Sequence, residues 1–126
     1  MSELRPKTLP PSMRSKRRYL VFEIISENPV EYKDFIDVMW KSTMNFIGEL
    51  GLSETQIRVL KNLYDKKSQR GVIKCKHDVV EKVRASLSLI QIIGESRAII
   101  HIVGVTGTIK SARNKYLAMR DLGSYK

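Results

Sequence analysis

The stretch RYLVFEII, residues Arg18–Ile25, indicates how the fold of this chain begins. It is rich in β-branched and aromatic residues and is short enough to be a strand. Every second side chain from Leu20 to Ile24 would face one side of a sheet, and the side chains between them would face the other. Asn28 and Pro29 suit a helix start, with Asn28 as the cap and Pro29 at the first helical position. The stretch therefore predicts a strand followed by a helix.

The helix after this strand is predicted from Val30 to Leu50, where apolar residues recur with a helical period. Its acidic residues lie off the apolar stripe and would face solvent. Trp40 lies at the edge of the stripe and Met44 beyond it. Because Trp and Met are enriched at interfaces, we expect these two to contact a protein partner, with ordinary boundary packing as the alternative. Gly51 is expected to end the helix.

The rest of the chain predicts three further strands and two helices. In the predicted helix over Asp78–Ile93, Leu89 and Ile92 fall outside the buried stripe. This helix is therefore either deeply buried or covered by a partner. The predicted elements are a strand over Thr55–Tyr64, a basic turn over Asp65–Gly71, a strand over Val72–His77, a helix over Asp78–Ile93, a strand over Arg97–Thr106, and a last helix from Thr108 to about Arg120.

The predicted order is β-α-β-β-α-β with an extra C-terminal helix. This is the split βαβ pattern of ferredoxin-like and RRM-like domains, an α+β sandwich in which two helices pack on one face of the sheet. The other face is then open for RNA or covered by the extra helix. Residues 18–126 are expected to form this one domain. Residues 1–17 contain three prolines and no apolar period, so we expect them to be a flexible basic arm.

The charge of the chain is large and uneven. Lys and Arg number 23 against 13 Asp and Glu, which gives a net charge of +10 over 126 residues. Residues 1–18 carry six basic residues and one acid, residues 19–55 carry two and seven, and residues 56–126 carry fifteen and five. A surplus concentrated in this way favours a polyanionic partner, with nucleic acid ahead of a membrane.

Several classes of protein are excluded by composition. No run approaches the roughly 20 apolar residues of a membrane-spanning helix. The segment up to Arg18 is basic and has no apolar centre, so it does not resemble a secretory signal. Cys75, the one cysteine, cannot form an intrachain disulfide or build a cysteine zinc site, and we expect it to pack as a small hydrophobe. A cytoplasmic protein is the simplest expectation.

The chain shows no arrangement of residues that indicates catalysis or metal binding. His77 and His101 have no His, Cys or carboxylate at a metal-ligand spacing. Gly104–Ser111 (GVTGTIKS) lacks the glycine spacing and the Gly-Lys pair of a phosphate loop, which excludes nucleotide hydrolysis. The segment still places threonines, backbone N–H groups and basic side chains at a predicted helix start. It therefore suits a phosphate of an RNA backbone, or serves simply as an N-cap with glycines for chain reversal.

Sequence reading of single-stranded RNA by base stacking is not expected on the strand after the basic turn. Arg70–His77 begins like the RRM octet, but Val72 and Lys74 occupy the positions where that octet carries stacking aromatics. Lys74 and Lys76 on one face favour phosphate contact instead. Aromatic residues make up only 7% of the chain, so binding to structured RNA by shape and charge is the better prediction.

GVIKCKHDVVEKVRASL (Gly71–Leu87) and VGVTGTIKSARNKY (Val103–Tyr116) resemble the ribonuclease P protein component 2 family, the archaeal relatives of the eukaryotic subunit shared by ribonucleases P and MRP. The family's first strand, basic-Arg-Tyr-Leu, is matched by Arg17–Leu20. Its Trp-containing first helix is matched around Trp40, and its Gly-Val-Ser/Thr-Gly-Thr-Ile-Lys element by Gly104–Lys110. The resemblance covers about residues 14–120 and implies nothing for the arm before them.

The resemblance implies an RRM-like sandwich within the ribonucleoprotein that removes the 5′ leader of precursor tRNA. In that enzyme the RNA carries the chemistry and binds Mg²⁺, so the protein chain alone is expected to be non-catalytic and to bind no cofactor. The implied partners are the ribonuclease P RNA and component 3, a TIM-barrel-like subunit with which the family can form a heterotetramer, while precursor tRNA is an indirect partner. The short chain without a long acidic tail is expected for an archaeal member.

The candidate contact residues form two groups. Trp40, Met44, Leu89 and Ile92 are expected to contact a protein partner. The residues expected to contact RNA are basic or carry a hydroxyl at the last helix start, and they are Arg14, Lys16, Arg17, Arg18, Lys66, Lys67, Arg70, Lys74, Lys76, Thr106, Thr108, Lys110 and Arg113.

Three other functions remain open. A free-standing RRM-like RNA chaperone would share the basic surface, and it would be recovered from extract without ribonuclease P components. A ferredoxin-like small-molecule regulatory domain would not show tight, salt-sensitive RNA binding. A protein-only nuclease would cleave RNA by itself with Mg²⁺, which we do not expect.

Overall fold

The computed structural model describes residues 16–117. An antiparallel sheet of five strands has the order β2-β3-β1-β5-β4. The central strand β1 pairs with β3 from Arg17 opposite Lys76 to Glu23 opposite Arg70, and with β5 on its other side. The strands are β1 Arg17–Ser26, β2 Arg58–Val59, β3 Arg70–Lys76, β4 Ile92–Ile93 and β5 Ser96–Thr106. This topology confirms the ferredoxin-like, RRM-like α+β sandwich.

Two helices cover one face of the sheet and form the main core. The helices are α1 Tyr32–Ile47, α2 Glu49–Thr55, α3 Val80–Ser88 and α4 Ile109–Ala112, which continues into one turn of π-helix over Arg113–Leu117. Phe22 of β1 stacks on Phe35 of α1 with ring centroids 4.6 Å apart. Val83 and Leu87 of α3 are buried in the same cluster. Within residues 16–117 no helix is long and apolar enough to cross a membrane.

A second, smaller cluster lies on the opposite face, under α4. Val21 of β1 and Val72 of β3 are opposite each other, and Ala112 of α4 is buried against them. Tyr116 lies over Gly104, where an added Cβ would come 2.1 Å from Cζ of the ring. The extra helix therefore covers the middle of this face and leaves both ends of the strands uncovered by it.

The first predicted helix is interrupted at Gly48, where it was predicted to continue. Gly48 adopts φ +91°, a backbone conformation that glycine reaches at little cost, so α1 ends at Ile47 and α2 begins at Glu49. Gly51, predicted to end the helix, lies inside α2. That prediction is wrong because the break depends on backbone geometry that either glycine could have supplied.

The predicted strand over Thr55–Tyr64 is also wrong in extent. Thr55 ends α2, only Arg58 and Val59 pair with β3, and Lys61–Leu63 forms a 3₁₀ turn. Leu60 and Leu63, three residues apart, pack against the second cluster on the α4 face. Three-residue spacing suits a 3₁₀ turn, and the alternating pattern did not distinguish the two.

The predicted helix over Asp78–Ile93 ends early. α3 stops at Ser88, and Ile92–Ile93 forms β4, a hairpin with β5 in which Ile93 is opposite Ser96. Gly94 supplies φ +65° for the turn, so it makes a hairpin and does not end a helix. The fourth predicted strand is confirmed as β5. The last predicted helix is confirmed as far as Leu117, and its expected end at Arg120 lies outside the described residues.

Candidate nucleic-acid interface

The predicted RNA contacts fall at two opposite ends of the sheet. Arg17 opposite Lys76 marks one end, which we call the basic end, and Glu23 opposite Arg70 marks the other, the turn end. Arg17 and Glu23 are six positions apart along β1, which corresponds to about 20 Å at ~3.3 Å per residue. One compact ligand group therefore cannot touch both ends, and only an extended polyanion could do so.

The basic end carries a row of side chains across four strands. Arg58 of β2 is opposite Lys74 of β3, Lys74 is opposite Tyr19 of β1, and Tyr19 is opposite Thr106 of β5. Lys76 follows two residues after Lys74 on the same face. Arg58 was not among the predicted contacts, and only the strand register reveals that it lies beside Lys74.

The start of α4 adds two more cations at this end. The Thr108 hydroxyl accepts the Ser111 backbone N–H at 3.0 Å, which confirms the predicted N-cap. Thr106 Oγ1 donates to the Thr108 carbonyl at 2.9 Å. Both threonine hydroxyls are thus engaged within the chain, and α4 has only four α-helical residues. The groups of this segment that remain accessible to an anion are therefore the exposed side chains of Lys110 and Arg113.

The remaining predicted contacts at this end lie before β1 or at its start. Lys16 is exposed, and its carbonyl accepts the His77 backbone N–H at 2.9 Å. Arg18 Nη1 donates to the Arg17 carbonyl at 2.9 Å, and both side chains are half-buried. Arg14 and most of the predicted arm lie outside the described residues.

At the turn end, two of the three predicted basic side chains have partners within the chain. Lys66 forms an ion pair with Glu31, the residue that precedes α1. Arg70 lies 3.7 Å from Glu23 and donates from Nη1 to the Tyr116 carbonyl at 2.8 Å, while its Nε is buried without a partner. Arg70 is therefore engaged in holding the π-helical turn onto the sheet. Lys67 is exposed, and its side chain extends from the turn into solvent.

The four predicted protein contacts lie on the helix side of the molecule. Trp40 and Met44 are one turn apart on α1, Leu89 follows α3, and Ile92 lies on β4, and they are 37%, 42%, 57% and 58% exposed. A groove of about 370 Å³ runs between α1 and the Leu89–Ile92 segment. Lys41 and Asn45 line both this groove and the neighbouring hollow beside Trp40 and Met44. The fold thus brings the four side chains onto one continuous surface.

The described residues contain no cluster of three His, Cys, Asp or Glu side chains that could hold a metal ion. His77 and His101 are exposed. Cys75 is buried in the main core, and burial, followed by the nearby Asp78 charge, raises the pKa of its thiol to about 11. Such a thiol is a poor nucleophile at neutral pH. The candidate groups that the described residues bring to the surface are thus basic side chains on the sheet and apolar side chains beside α1, α3 and β4.

Comparison with known proteins gives consistent matches over most of the chain. Residues 18–117 match the Rpp14/Pop5 family. "Ribonuclease P protein component 2" of Pyrococcus furiosus is 40% identical over 118 residues, which cover 94% of this chain and 96% of that protein. The protein of the same name from Methanosarcina mazei is 40% identical over 88% of this chain and 92% of its own. A chain in the cryo-EM structure of yeast ribonuclease MRP shares the fold, with a TM-score of 0.57 at 11% identity over 88% of this chain and 93% of that one.

Proposed function

Because the chain belongs to the Rpp14/Pop5 family, we propose that it is a protein subunit of ribonuclease P, the ribonucleoprotein that removes the 5′ leader from precursor tRNA. The observation that carries the proposal is the 40% identity to the Pyrococcus furiosus protein over nearly the full length of both chains. The net charge of +10 agrees with a subunit that works against RNA.

The role proposed for the chain is to neutralise phosphates of the catalytic RNA. Lys74 and Lys76 on the sheet and Lys110 and Arg113 beside them would bring four positive charges to one RNA segment. Each neutralised phosphate releases condensed counterions, which supplies affinity without reading bases. Lys67 at the turn end would contact a second segment. The RNA and its Mg²⁺ ions would carry the chemistry, and the chain alone would not cleave RNA.

The apolar surface on the helix side would receive a protein subunit. Trp40, Met44, Leu89 and Ile92 place large apolar side chains around Lys41 and Asn45, and Trp and Met are enriched at interfaces. We propose component 3, the TIM-barrel-like subunit, as the occupant, and a heterotetramer as one form of the complex. Cytoplasmic assembly with the RNA follows from the same proposal.

Reconstitution of precursor-tRNA cleavage tests the function. Ribonuclease P RNA and the other protein subunits would be assayed with and without this chain, and the chain would be assayed alone with Mg²⁺. We expect the chain to raise the rate of 5′-leader removal and to show no cleavage by itself. A complex whose rate and Mg²⁺ requirement do not change when the chain is added would refute the proposal.

A matched pair of variants locates the RNA contacts within this assay. Lys74→Ala with Lys110→Ala removes two charges at the basic end, whereas Lys82→Ala with Arg84→Ala removes two from α3 on the other side of the sheet. The first variant is expected to weaken assembly and to lower the slope of log affinity against log salt by about two units, and the second to leave both unchanged. Equal losses in the two variants would argue against a localised RNA surface.

A further inference from the structure

Tyr19 occupies a position on the sheet that the proposed RNA contacts leave unused. It lies between Lys74 of β3 and Thr106 of β5 on the same face, and Arg58 is the next residue in the row beyond Lys74. Three strand spacings of ~4.8 Å give this row a length of about 14 Å at right angles to the strands. The row thus places an aromatic hydroxyl in line with two cations.

The Tyr19 ring is packed against other side chains, whereas its hydroxyl has no hydrogen-bond partner within residues 16–117. The half-buried ring packs against the second cluster, formed around Val21, Val72 and Ala112. Within residues 16–117, the Tyr19 hydroxyl makes no hydrogen bond and is not among the buried polar atoms without a partner. A side chain packed in this way offers a fixed hydroxyl to solvent at little further cost in conformational entropy.

The two cations of the row form no ion pair within residues 16–117. Arg58 is exposed and Lys74 half-buried. The acidic side chains of β1 and the turn, Glu23 and Asp65, lie at the turn end, where both residues are engaged with other groups. Over residues 16–117, no carboxylate forms an ion pair with Arg58 or Lys74.

The second cluster limits what can lie along the row. Ala112 packs on Val21 and Val72, which are only two residues further along the strands than Tyr19 and Lys74. Tyr19 and Lys74 therefore lie about 7 Å along the strands from the residues that Ala112 covers, the rise of two residues. A single row of basic and aromatic side chains beside a covered area suits the backbone of one unpaired strand, since single-strand sites are basic grooves that follow the backbone.

We infer that the row Arg58–Lys74–Tyr19 binds the backbone of an unpaired RNA strand that crosses the sheet at right angles to its strands, as far as the buried Thr106. Phosphates lie against Arg58 and Lys74, and the Tyr19 hydroxyl hydrogen-bonds to the phosphate or ribose between them. This inference deepens the RNA-binding part of the proposed function. It does not depend on ribonuclease P RNA, because its test uses RNA of no particular origin.

The test measures binding of the full chain to oligouridine of about 12 nucleotides, over a range of salt concentrations. Tyr19→Phe keeps the ring and removes only the hydroxyl, so we expect affinity about three- to tenfold weaker with an unchanged salt slope. Arg58→Ala and Lys74→Ala are each expected to lower the slope by about 0.7, the value for one phosphate of a single strand. Lys82→Ala on α3 is the matched single-charge control and is expected to bind as the parent does.

Three results would overturn the inference. The first is that Tyr19→Phe binds oligouridine as tightly as the parent does while its thermal unfolding is unchanged. Lys82→Ala could lower the slope as much as Arg58→Ala does, which would indicate diffuse attraction. An RNA duplex of about 16 base pairs could bind more tightly than oligouridine and with the same sensitivity to Tyr19→Phe. Failure of tRNA cleavage together with the expected oligouridine results would refute the ribonuclease P proposal and leave the row intact.

Discussion

Two glycines determine where aromatic rings lie on this sheet. A Cβ on Gly71 would come 2.6 Å from Cζ of Phe22, whose ring stacks between Phe35 and Tyr64. A Cβ on Gly104 would overlap the Tyr116 ring on the opposite face. At each position the missing side chain leaves the space that an aromatic ring fills, so one face gains a core and the other holds α4.

Gly104→Ala is expected to lower the free energy of unfolding by about 1–3 kcal/mol, because the new methyl group displaces Tyr116 from the sheet. The displacement would also disturb the hydrogen bond from Arg70 to the Tyr116 carbonyl. Gly107→Ala is the control, since the nearest atom to its Cβ would be Arg18 Nη1 at 3.9 Å. Urea unfolding measures both. Equal midpoints for the two variants would contradict this account of the second cluster.

The buried thiol of Cys75 makes stability depend on alkaline pH. Its pKa is raised from 9.0 to about 11 by burial, so the folded state keeps the proton that the unfolded state loses. The stabilisation is complete below pH 9.0 and is lost as the pH rises towards about 11. Cys75→Ala is expected to be less stable at neutral pH and to show a shallower decline over this interval. Denaturant unfolding at several pH values measures it, and parallel declines would rule out the thiol as the cause.

At the scale of elements, two glutamines with left-handed backbones have different roles. Gln56 ends α2 with φ +54° and is exposed. Gln69 precedes β3 with φ +56°, and its side chain accepts the Val30 N–H at 2.6 Å and donates to the Ile24 carbonyl at 2.7 Å. Gln69 thereby ties the end of β1, the start of α1 and the basic turn together.

Glycine substitution is expected to have opposite effects at these two positions. Gln56→Gly relieves the strain of a left-handed residue at a helix end, and we expect a gain of about 0.5–1 kcal/mol in unfolding free energy. Gln69→Gly relieves the same strain but loses the side-chain hydrogen bonds and leaves the Val30 N–H without its partner, for an expected net loss of about 1–2 kcal/mol. Thermal unfolding of both variants checks the signs. A gain at position 69 would show that its hydrogen bonds contribute little.

Over the whole molecule, the basic and apolar surfaces are separate. Arg58 and Lys74 lie at the β2–β3 edge of the sheet, whereas Ile92 lies on β4 at the other edge and lines a groove with Leu89 and α1. In the proposed function, a protein at one edge and RNA at the other would bind at the same time.

Leu89→Ser with Ile92→Ser is expected to weaken binding of the protein partner by at least tenfold, since both side chains are more than half exposed and would lose their apolar contacts. RNA affinity and its salt slope should not change, because no charge is removed. Ile25→Ser with Ile99→Ser is the matched control, as this facing pair of exposed isoleucines lies on β1 and β5, outside the groove that Leu89 and Ile92 line. Calorimetry with component 3 measures the effect. Loss of binding in the control pair alone would indicate that the protein interface lies on the sheet around Ile25 and Ile99.

The sequence by itself determined the β-α-β-β-α-β order of the main elements and the segments that carry the basic residues, but not α2 or β4. It could do so because side-chain alternation and helical period are local properties, which a few neighbouring residues specify. The Thr108 cap and the strand at Ser96–Thr106 were predictable for the same reason.

Only the tertiary structure decided which of these residues meet. Arg58, Lys74 and Tyr19 become neighbours through strand register, which packing between distant segments sets and which local patterns leave open. The same holds for Arg70, whose guanidinium donates to the Tyr116 carbonyl of the π-helical turn. It also holds for Gly48 and Gly94, whose positive φ values interrupt one predicted helix and replace the end of another with a hairpin. Local pattern specifies what each segment is, while long-range pairing specifies which side chains form a surface.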